Sequence, residues 1–281
     1  MTYPSFYCIG VQKAGTTWLH KHLSNHPNIW LMPNELKELQ YFNELHVEGH
    51  NLWTQQHREV GFKNLINKEL KQAKINFDRI DKYARLALET RSDVWYSKFF
   101  SEVDCGEIAG DITPEYSLLP TEGIQHVKAL TPNAKFILLL RHPVERDFSH
   151  IRMIARNHFG ESLETLSDVE LESFFLQAAD HVGVSERSDY QAIIESWESV
   201  VGKEKLLILF YDDISEQPLS VLEQVCNHIG VNFDEGLFEN ASSKVFAGFE
   251  ANLTENLKNK LSARHKTTVE YINDNYGRGW K

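Results

Sequence analysis

The residues from Phe6 to Leu19 have types and spacing that suit the binding of an anion. An apolar run of strand length ends at Gly10, and a short loop containing Lys13 and Gly15 leads into a helical pattern. Glycine permits a sharp turn and a close approach of the backbone to a ligand, and the amides at the start of a helix attract negative charge. The segment therefore predicts a phosphate-binding loop between a strand and a helix.

This loop departs from the nucleoside-triphosphatase pattern G-x-x-x-x-G-K-[ST] at an informative position. That pattern places lysine directly after the second glycine, where this chain has Thr16, whereas Lys13 stands ahead of Gly15. Taken alone, the loop fits an ordinary turn, a degenerate triphosphate loop or a site for a different phosphate-bearing donor.

A second candidate site follows the apolar run from Ala134 to Leu140, which has the length and composition of a buried parallel strand. Arg141 closes this run, Pro143 favours a first helical turn, and Ser149 follows on the predicted helix. Because ligands of open parallel sheets bind at the carboxyl ends of strands, Arg141 and the first loop are expected at one edge. Singly, Arg141 also fits a strand-end arginine paired with a carboxylate, and Ser149 an exposed helical serine.

Together these segments resemble the sulfotransferases that use 3′-phosphoadenosine 5′-phosphosulfate (PAPS). The cytosolic members write their 5′-phosphosulfate loop P-K-S-G-T-T-W-L, and this chain has Gln12 and Ala14 where that form has proline and serine. The resemblance implies that Arg141 and Ser149 bind the 3′-phosphate and that Tyr190 lies near the adenine, although Tyr190 and Trp18 also fit plain core packing. It implies the following donor-binding residues: Lys13, Ala14, Gly15, Thr16, Thr17, Trp18, Arg141, Ser149 and Tyr190.

The candidate base lies in the segment KELQYF, from Lys37 to Phe42. It resembles the K-E-x-H-F-F segment of the heparan-sulfate-type and related bacterial sulfotransferases, in which the glutamate removes the acceptor proton. Glu38 takes that position, whereas Gln40 replaces the histidine and Tyr41 the first phenylalanine. A solvated surface carboxylate is the alternative reading of Glu38.

The resemblance implies a single in-line displacement with Glu38 and Lys13 as the catalytic residues. PAPS would be the donor and adenosine 3′,5′-bisphosphate the product, with no metal required. A related segment, G-E-K-[ST]-P-x-Y, occurs as Gly110 to Tyr116 with Ile112 at the lysine, so Lys13 is expected to carry more of the charge stabilisation. The three cysteines are widely separated and have no C-x-x-C spacing, which gives no indication of a metal site.

The expected fold class is α/β, a P-loop-like three-layer fold with a central parallel sheet flanked by helices. The chain is expected to form a single domain, 1–281, with helical insertions at about 42–103 and 160–183 that cover the acceptor site. A further hypothesis places Lys244, Val245 and Phe246 near the adenine.

Charge and composition narrow the acceptor and the location. The formal net charge of −11 over 281 residues argues against nucleic acid and polyanionic glycans, because binding of polyanions depends mainly on cations. The expected acceptor is a hydroxyl, less favourably an amine, on a small molecule, a glycolipid or a carrier-tethered metabolite. The odd number of cysteines, the early first strand and the lack of a transmembrane-length apolar run predict a soluble, cytoplasmic protein with no membrane span. The oligomeric state is not predicted.

Two other classes of protein stay open at this point. A nucleotide kinase-like P-loop enzyme would share the first strand, loop and helix, and would turn over ATP with magnesium. A non-catalytic nucleotide-binding protein on the same fold would bind the bisphosphate and be indifferent to loss of Glu38.

Overall fold

A computed structural model of the chain describes residues 1–243, 249 and 251–281. Within these residues one sheet of five parallel strands has the order β2-β3-β1-β4-β5. The strands are β1 Phe6–Gly10, β2 Ile29–Leu31, β3 Ile108–Ile112, β4 Lys135–Leu140 and β5 Leu206–Phe210.

Helices make up most of the remaining described chain. They are α1 Thr16–Leu23, α2 Tyr41–His46, α3 Gln55–Glu69, α4 Phe77–Leu88, α5 Asp93–Lys98, α6 Thr121–Leu130, α7 Pro143–Phe159, α8 Asp168–Ala178, α9 Val182–Ser185, α10 Tyr190–Val201, α11 Tyr211–Glu216, α12 Pro218–Ile229 and α13 Glu255–Tyr276. Short 3-10 turns connect them at Asn34–Leu36, Pro114–Leu118, Gly160–Thr165, Glu186–Ser188, Lys203–Lys205 and Glu235–Phe238.

The core lies on both faces of the central strands. All five residues of β1 are buried, and so are the last five of β4. Burial of successive residues, whose side chains point to opposite faces, requires helices on both sides of the sheet. The predicted α/β class, with a central parallel sheet between helices, is confirmed.

Neighbouring strands β1 and β4 bring the two candidate sites together. The backbone amide of Val11, the first residue after β1, donates a hydrogen bond to the carbonyl of Leu139 in β4 at 2.8 Å. Since all strands run parallel, the loop after β1 and Arg141 after β4 leave the sheet at the same edge. This juxtaposition is the one that the two sequence segments predict.

The two expected insertions contain helices in the described structure. The segment 42–103 holds most of α2 and all of α3, α4 and α5, whereas the segment 160–183 contains α8. Their role as a cover for the acceptor stays a prediction. The hypothesis about Lys244, Val245 and Phe246 concerns residues outside the described part of the chain.

Candidate active site

The loop after β1 has a backbone that favours glycine at its end. Gly15 precedes α1 with φ of 105°, and a Cβ placed on it would lie 2.9 Å from Cδ1 of Ile214 in α11. A side chain there would therefore clash as well as strain the backbone. The first turn of α1 leaves N–H groups without intrahelical acceptors, so the loop presents donors to an anion.

The Lys13 side chain turns from this loop towards α7. Its Nζ lies 3.9 Å from the sulfur of Met153, and Lys13 has a left-handed φ of 73°. Burial lowers the pKa of Lys13, and the nearby charges of Arg152, Arg141 and Arg146 lower it further. Mutual repulsion between cations of this kind is relieved when an anion binds among them.

Arg141 forms an exposed ion pair that a bound phosphate could displace. Its Nε and Nη2 donate to one carboxylate oxygen of Glu145, at 3.2 and 3.0 Å, and Glu145 is 55% exposed. An exposed pair of this kind contributes little to stability. The guanidinium also lies 4.5 Å above the ring of Tyr211, which fixes its plane. Ser149 lies further along α7 and is half-buried.

Tyr190 and Trp18 are both packed in the core. The Tyr190 ring is fully buried, and its hydroxyl donates to the carbonyl of Arg141 at 2.6 Å. The indole Nε1 of Trp18 donates to the carbonyl of Ala241 at 2.8 Å, and this residue is 6% exposed. Tyr190 thus holds the strand end that carries Arg141, while contact of either ring with adenine stays a prediction.

A buried polar network lies in α7, the helix that follows Arg141. Asp147 accepts hydrogen bonds from Arg146, Ser188 and His265 at 2.6, 2.7 and 2.7 Å. Burial alone would raise the pKa of Asp147, but the hydrogen bond from His265 and the charge of Arg146 hold it below its ordinary value. The network joins α7 to α13 and to the turn before Tyr190, which fixes the helix that follows Arg141.

Glu38 follows β2, whose carboxyl end lies at the same edge of the parallel sheet as the loop after β1. Its carboxylate accepts a hydrogen bond from Nζ of Lys37 at 2.7 Å, and its side chain is 28% exposed. Burial lowers the pKa of Lys13, and the negative charge of Glu38 partly opposes that effect. Burial also raises the pKa of Asp111 to about 6, a rise to which Glu38 adds. The charge of Glu38 therefore acts on both Lys13 and Asp111.

Residues from the segment 42–103 hold the backbone after Glu38. Arg91 donates to the carbonyls of Leu39 and Gln40, at 3.0 and 3.3 Å, and pairs with Glu44 at 2.6 Å. Arg58 contacts the same Glu44 carboxylate at 2.7 and 3.2 Å. We call these three charged residues, Arg58, Glu44 and Arg91, the arginine clamp. Burial and the charge of Arg58 lower the pKa of Arg91 to about 10.

A small cavity of about 10 Å³ lies between Glu38 and the arginine clamp. It is lined by Leu36, Glu38, Leu39, Trp53, Arg58, Leu86 and Arg91. This volume holds roughly one water molecule. Gln40, at the position of the motif histidine, has a left-handed φ of 50° and is 3% exposed. Its Oε1 has no hydrogen-bond partner among the described residues.

Comparisons with known proteins identify the family of the chain. The profile described as "Sulfotransferase family" matches residues 4–235, most of the chain. The chain belongs to the Sulfotransferase family. The "Membrane-associated sulfotransferase kil1" of Dictyostelium discoideum is 29% identical over 161 residues, or 55% of this chain. This chain covers only 24% of that protein.

Solved sulfotransferase structures share the fold. The sulfotransferase from Alicyclobacillus acidocaldarius superposes with a TM-score of 0.65 at 21% identity, covering 99% of this chain and 97% of that one. The sulfotransferase domain from the curacin biosynthetic pathway gives 0.57 at 17% identity, covering 97% and 98%. The domain from the Synechococcus PCC 7002 olefin synthase gives 0.54 at 18%, covering 96% and 94%. Family and fold together indicate a sulfotransferase enzyme.

Two negative findings apply to the described residues alone. None of their helices combines the length and apolarity needed to cross a membrane. They also contain no group of three or more histidine, cysteine, aspartate or glutamate side chains arranged to hold a metal ion. Because the curated relative is called membrane-associated, the cytoplasmic location stays a prediction.

Sequence reasoning missed four residues of this site: Lys37, Arg91, Arg152 and Tyr211. Arg152 could have been predicted from the sequence, because it stands three residues after Ser149 and lies on the same helix face. Arg91 carried no usable signal, since it reaches Leu39 and Gln40 from more than fifty positions along the chain.

Proposed function

We propose that this sulfotransferase takes its sulfonate group from PAPS and releases adenosine 3′,5′-bisphosphate. The observation that carries the proposal is the meeting of the Lys13 loop and Arg141 at the ends of neighbouring strands. One donor with a phosphosulfate at one end and a 3′-phosphate at the other would satisfy both sets of cations. Ser149 would add a hydroxyl donor to the 3′-phosphate, and the loop amides and Thr16 and Thr17 would bind the 5′-phosphate.

The proposed reaction is a single in-line displacement with Glu38 as general base. The acceptor oxygen attacks sulfur, its proton passes to the Glu38 carboxylate, and the sulfur–oxygen bond to the 5′-phosphate breaks. Lys13 and the α1 amides stabilise the charge that grows on the departing oxygen, because fixed donors need little reorganisation during the reaction. Arg141 and Ser149 do not react, and their binding energy positions the sulfur for attack.

The proposed acceptor is a hydroxyl on a small molecule, a glycolipid or a carrier-tethered metabolite. Sulfotransferases act on hydroxyl-bearing acceptors in general. The net charge of −11 disfavours polyanionic acceptors, and the two arginines of the clamp, Arg58 and Arg91, are already paired with its Glu44.

Calorimetric titration with adenosine 3′,5′-bisphosphate tests the donor assignment without a known acceptor. We expect magnesium-independent binding that is at least tenfold tighter than binding of 5′-AMP, since 5′-AMP lacks the phosphate assigned to Arg141. No binding, or preference for Mg-ATP, would overturn the assignment and favour a kinase-like enzyme.

Replacement of the base tests catalysis separately from binding. Glu38→Gln should lower turnover of PAPS by about 10²- to 10⁴-fold, the usual contribution of a general base, and leave binding of the bisphosphate unchanged. The matched control is Glu48→Gln, an exposed glutamate of the same region. If Glu38→Gln turns over at the rate of the unaltered protein, Glu38 is not the base.

A further inference from the structure

The two lysines of the site stand on different sides of it. Lys13 extends from the loop after β1 to Met153 of α7, on the side of Arg141 and Arg152. Lys37 follows the turn after β2 and lies beside Glu38, with Nζ 2.7 Å from the carboxylate. The two ammonium groups therefore have different surroundings, one beside α7 and the other beside Glu38.

Lys37 is buried to a degree that is unusual for a lysine. Only 9% of its side chain is exposed, whereas its partner Glu38 is 28% exposed. Lysine is rarely buried unless paired, and here the pairing partner is the predicted base. An ammonium has three donors, so the bond to Glu38 leaves two for other acceptors.

The strand β3 ends in an apolar residue where the related family segment has lysine. Ile112 is the last residue of β3, pairs in register with Cys8 of β1 and is 1% exposed. It offers no charge to a ligand. Burial raises the pKa of the Cys8 thiol to about 12, and the charge of Lys37 opposes that rise, so the ammonium acts electrostatically on the middle residue of β1.

We propose that Lys37 is a catalytic residue that donates hydrogen bonds to the sulfonate oxygens of the donor. The inference rests on the proposed function. As the acceptor oxygen bonds to sulfur and its proton passes to Glu38, the bridging bond breaks and its electron pair leaves with adenosine 3′,5′-bisphosphate. Lys37 keeps its protons throughout. Lys13 stabilises the charge on the departing bridging oxygen. Lys37 donates to sulfonate oxygens on the side that the acceptor attacks, and it also holds Glu38 in place.

If Lys37 contacts the sulfonate, its replacement should change the affinity for PAPS and leave the affinity for the product unchanged. Lys37→Met should weaken binding of PAPS about tenfold and leave binding of adenosine 3′,5′-bisphosphate unchanged, because the product has no sulfonate. Lys37→Arg should restore part of the PAPS affinity. The control is Lys21→Met, which removes an exposed lysine of α1 and should change neither affinity.

A double-variant cycle separates contact with the sulfonate from an effect exerted only through Glu38. The reaction measured is the slow transfer from PAPS to water, followed as release of labelled sulfate, so that no acceptor need be known. We expect Lys37→Met to slow it about thirtyfold, both in the unaltered protein and in the Glu38→Gln background. Loss of the effect in the Glu38→Gln background would make Lys37 a positioning residue and overturn the proposal.

Failure of this inference is distinguishable from failure of the proposed function. If the unaltered protein binds the bisphosphate and consumes PAPS but Lys37→Met behaves identically, only the role of Lys37 is wrong. If the unaltered protein neither binds the bisphosphate nor consumes PAPS, the donor assignment is wrong and the role of Lys37 falls with it.

Discussion

The proposed donor side of this site, around Lys13 and Arg141, and the proposed base side, around Glu38, are held by different kinds of structure. On the donor side, Arg141 and the Lys13 loop leave adjacent strands, and α7 behind them is fixed by the fully buried contacts of Arg146 and Asp147. On the base side, Glu38 lies in an irregular segment, and the arginine clamp holds the backbone that follows it.

This difference suggests that donor binding and turnover depend on different parts of the site. A donor that is always the same favours a site built on strand ends and buried polar contacts, which have few alternative arrangements. The clamp residue Glu44 is 32% exposed, so the base side is held by contacts closer to solvent. We infer that changes on the donor side alter donor affinity, whereas changes in the clamp alter turnover.

The strongest test of the donor side is Arg141→Ala. We expect affinity for adenosine 3′,5′-bisphosphate to fall about a hundredfold, because charge-assisted hydrogen bonds to the 3′-phosphate are lost. Discrimination between PAPS and adenosine 5′-phosphosulfate should be lost as well. Both quantities can be measured by calorimetry and competition.

The control for this variant is Arg156→Ala, which removes an exposed arginine from the same helix. It should bind the bisphosphate normally. Unchanged discrimination in Arg141→Ala would show that the 3′-phosphate binds elsewhere.

The buried charges of the donor side also predict how stability depends on pH. Burial lowers the pKa of His150 to about 3, and the charges of Arg146, Arg187 and Lys13 contribute, against the opposing charge of Asp147. In the unfolded chain His150 takes up a proton below about pH 6.5, whereas in the folded protein it stays neutral until about pH 3. The free energy of unfolding should therefore fall as the pH drops through this window.

The change in unfolding free energy that His150 contributes between pH 7 and pH 5 is about 2 kcal/mol. His150→Gln should reduce the measured difference by that amount in denaturant titrations. His158→Gln, an exposed histidine on the same helix, serves as the control. An unchanged difference in the His150 variant would mean that this imidazole titrates freely in the folded protein.

The same contrast explains how much the sequence could predict. The juxtaposition of the Lys13 loop and Arg141 could be predicted because each follows an apolar strand directly, and parallel strands align their ends. The α/β class followed from the same strands. Arg91 could not be found, because its contacts with Leu39 and Gln40 depend on how helices of the segment 42–103 pack. Lys37 was visible in the motif, but its burial and direction depend on the turn after β2.

A variant of the clamp tests the base side. Arg91→Met keeps much of the apolar stem but removes the hydrogen bonds to Leu39 and Gln40, so Glu38 should lose its fixed position. We expect PAPS turnover to fall about tenfold, with binding of the bisphosphate unchanged. Arg85→Met, which removes a more exposed arginine paired with Asp81 on α4, is the control. Weaker binding of the bisphosphate in the Arg91 variant would contradict the separation of the two sides.

The smallest expected effect comes from Tyr190→Phe. This variant tests whether the buried Tyr190 hydroxyl positions Arg141. The variant removes only the hydroxyl that donates to the carbonyl of Arg141, a hydrogen bond worth about 1 kcal/mol. If that bond positions Arg141, affinity for the bisphosphate should fall about fivefold, with turnover at saturating PAPS unchanged. Tyr211→Phe keeps the ring beneath Arg141 and should bind normally. A loss of turnover without a loss of affinity would mean that Tyr190 acts on the base side, and the division between the two sides would then be wrong.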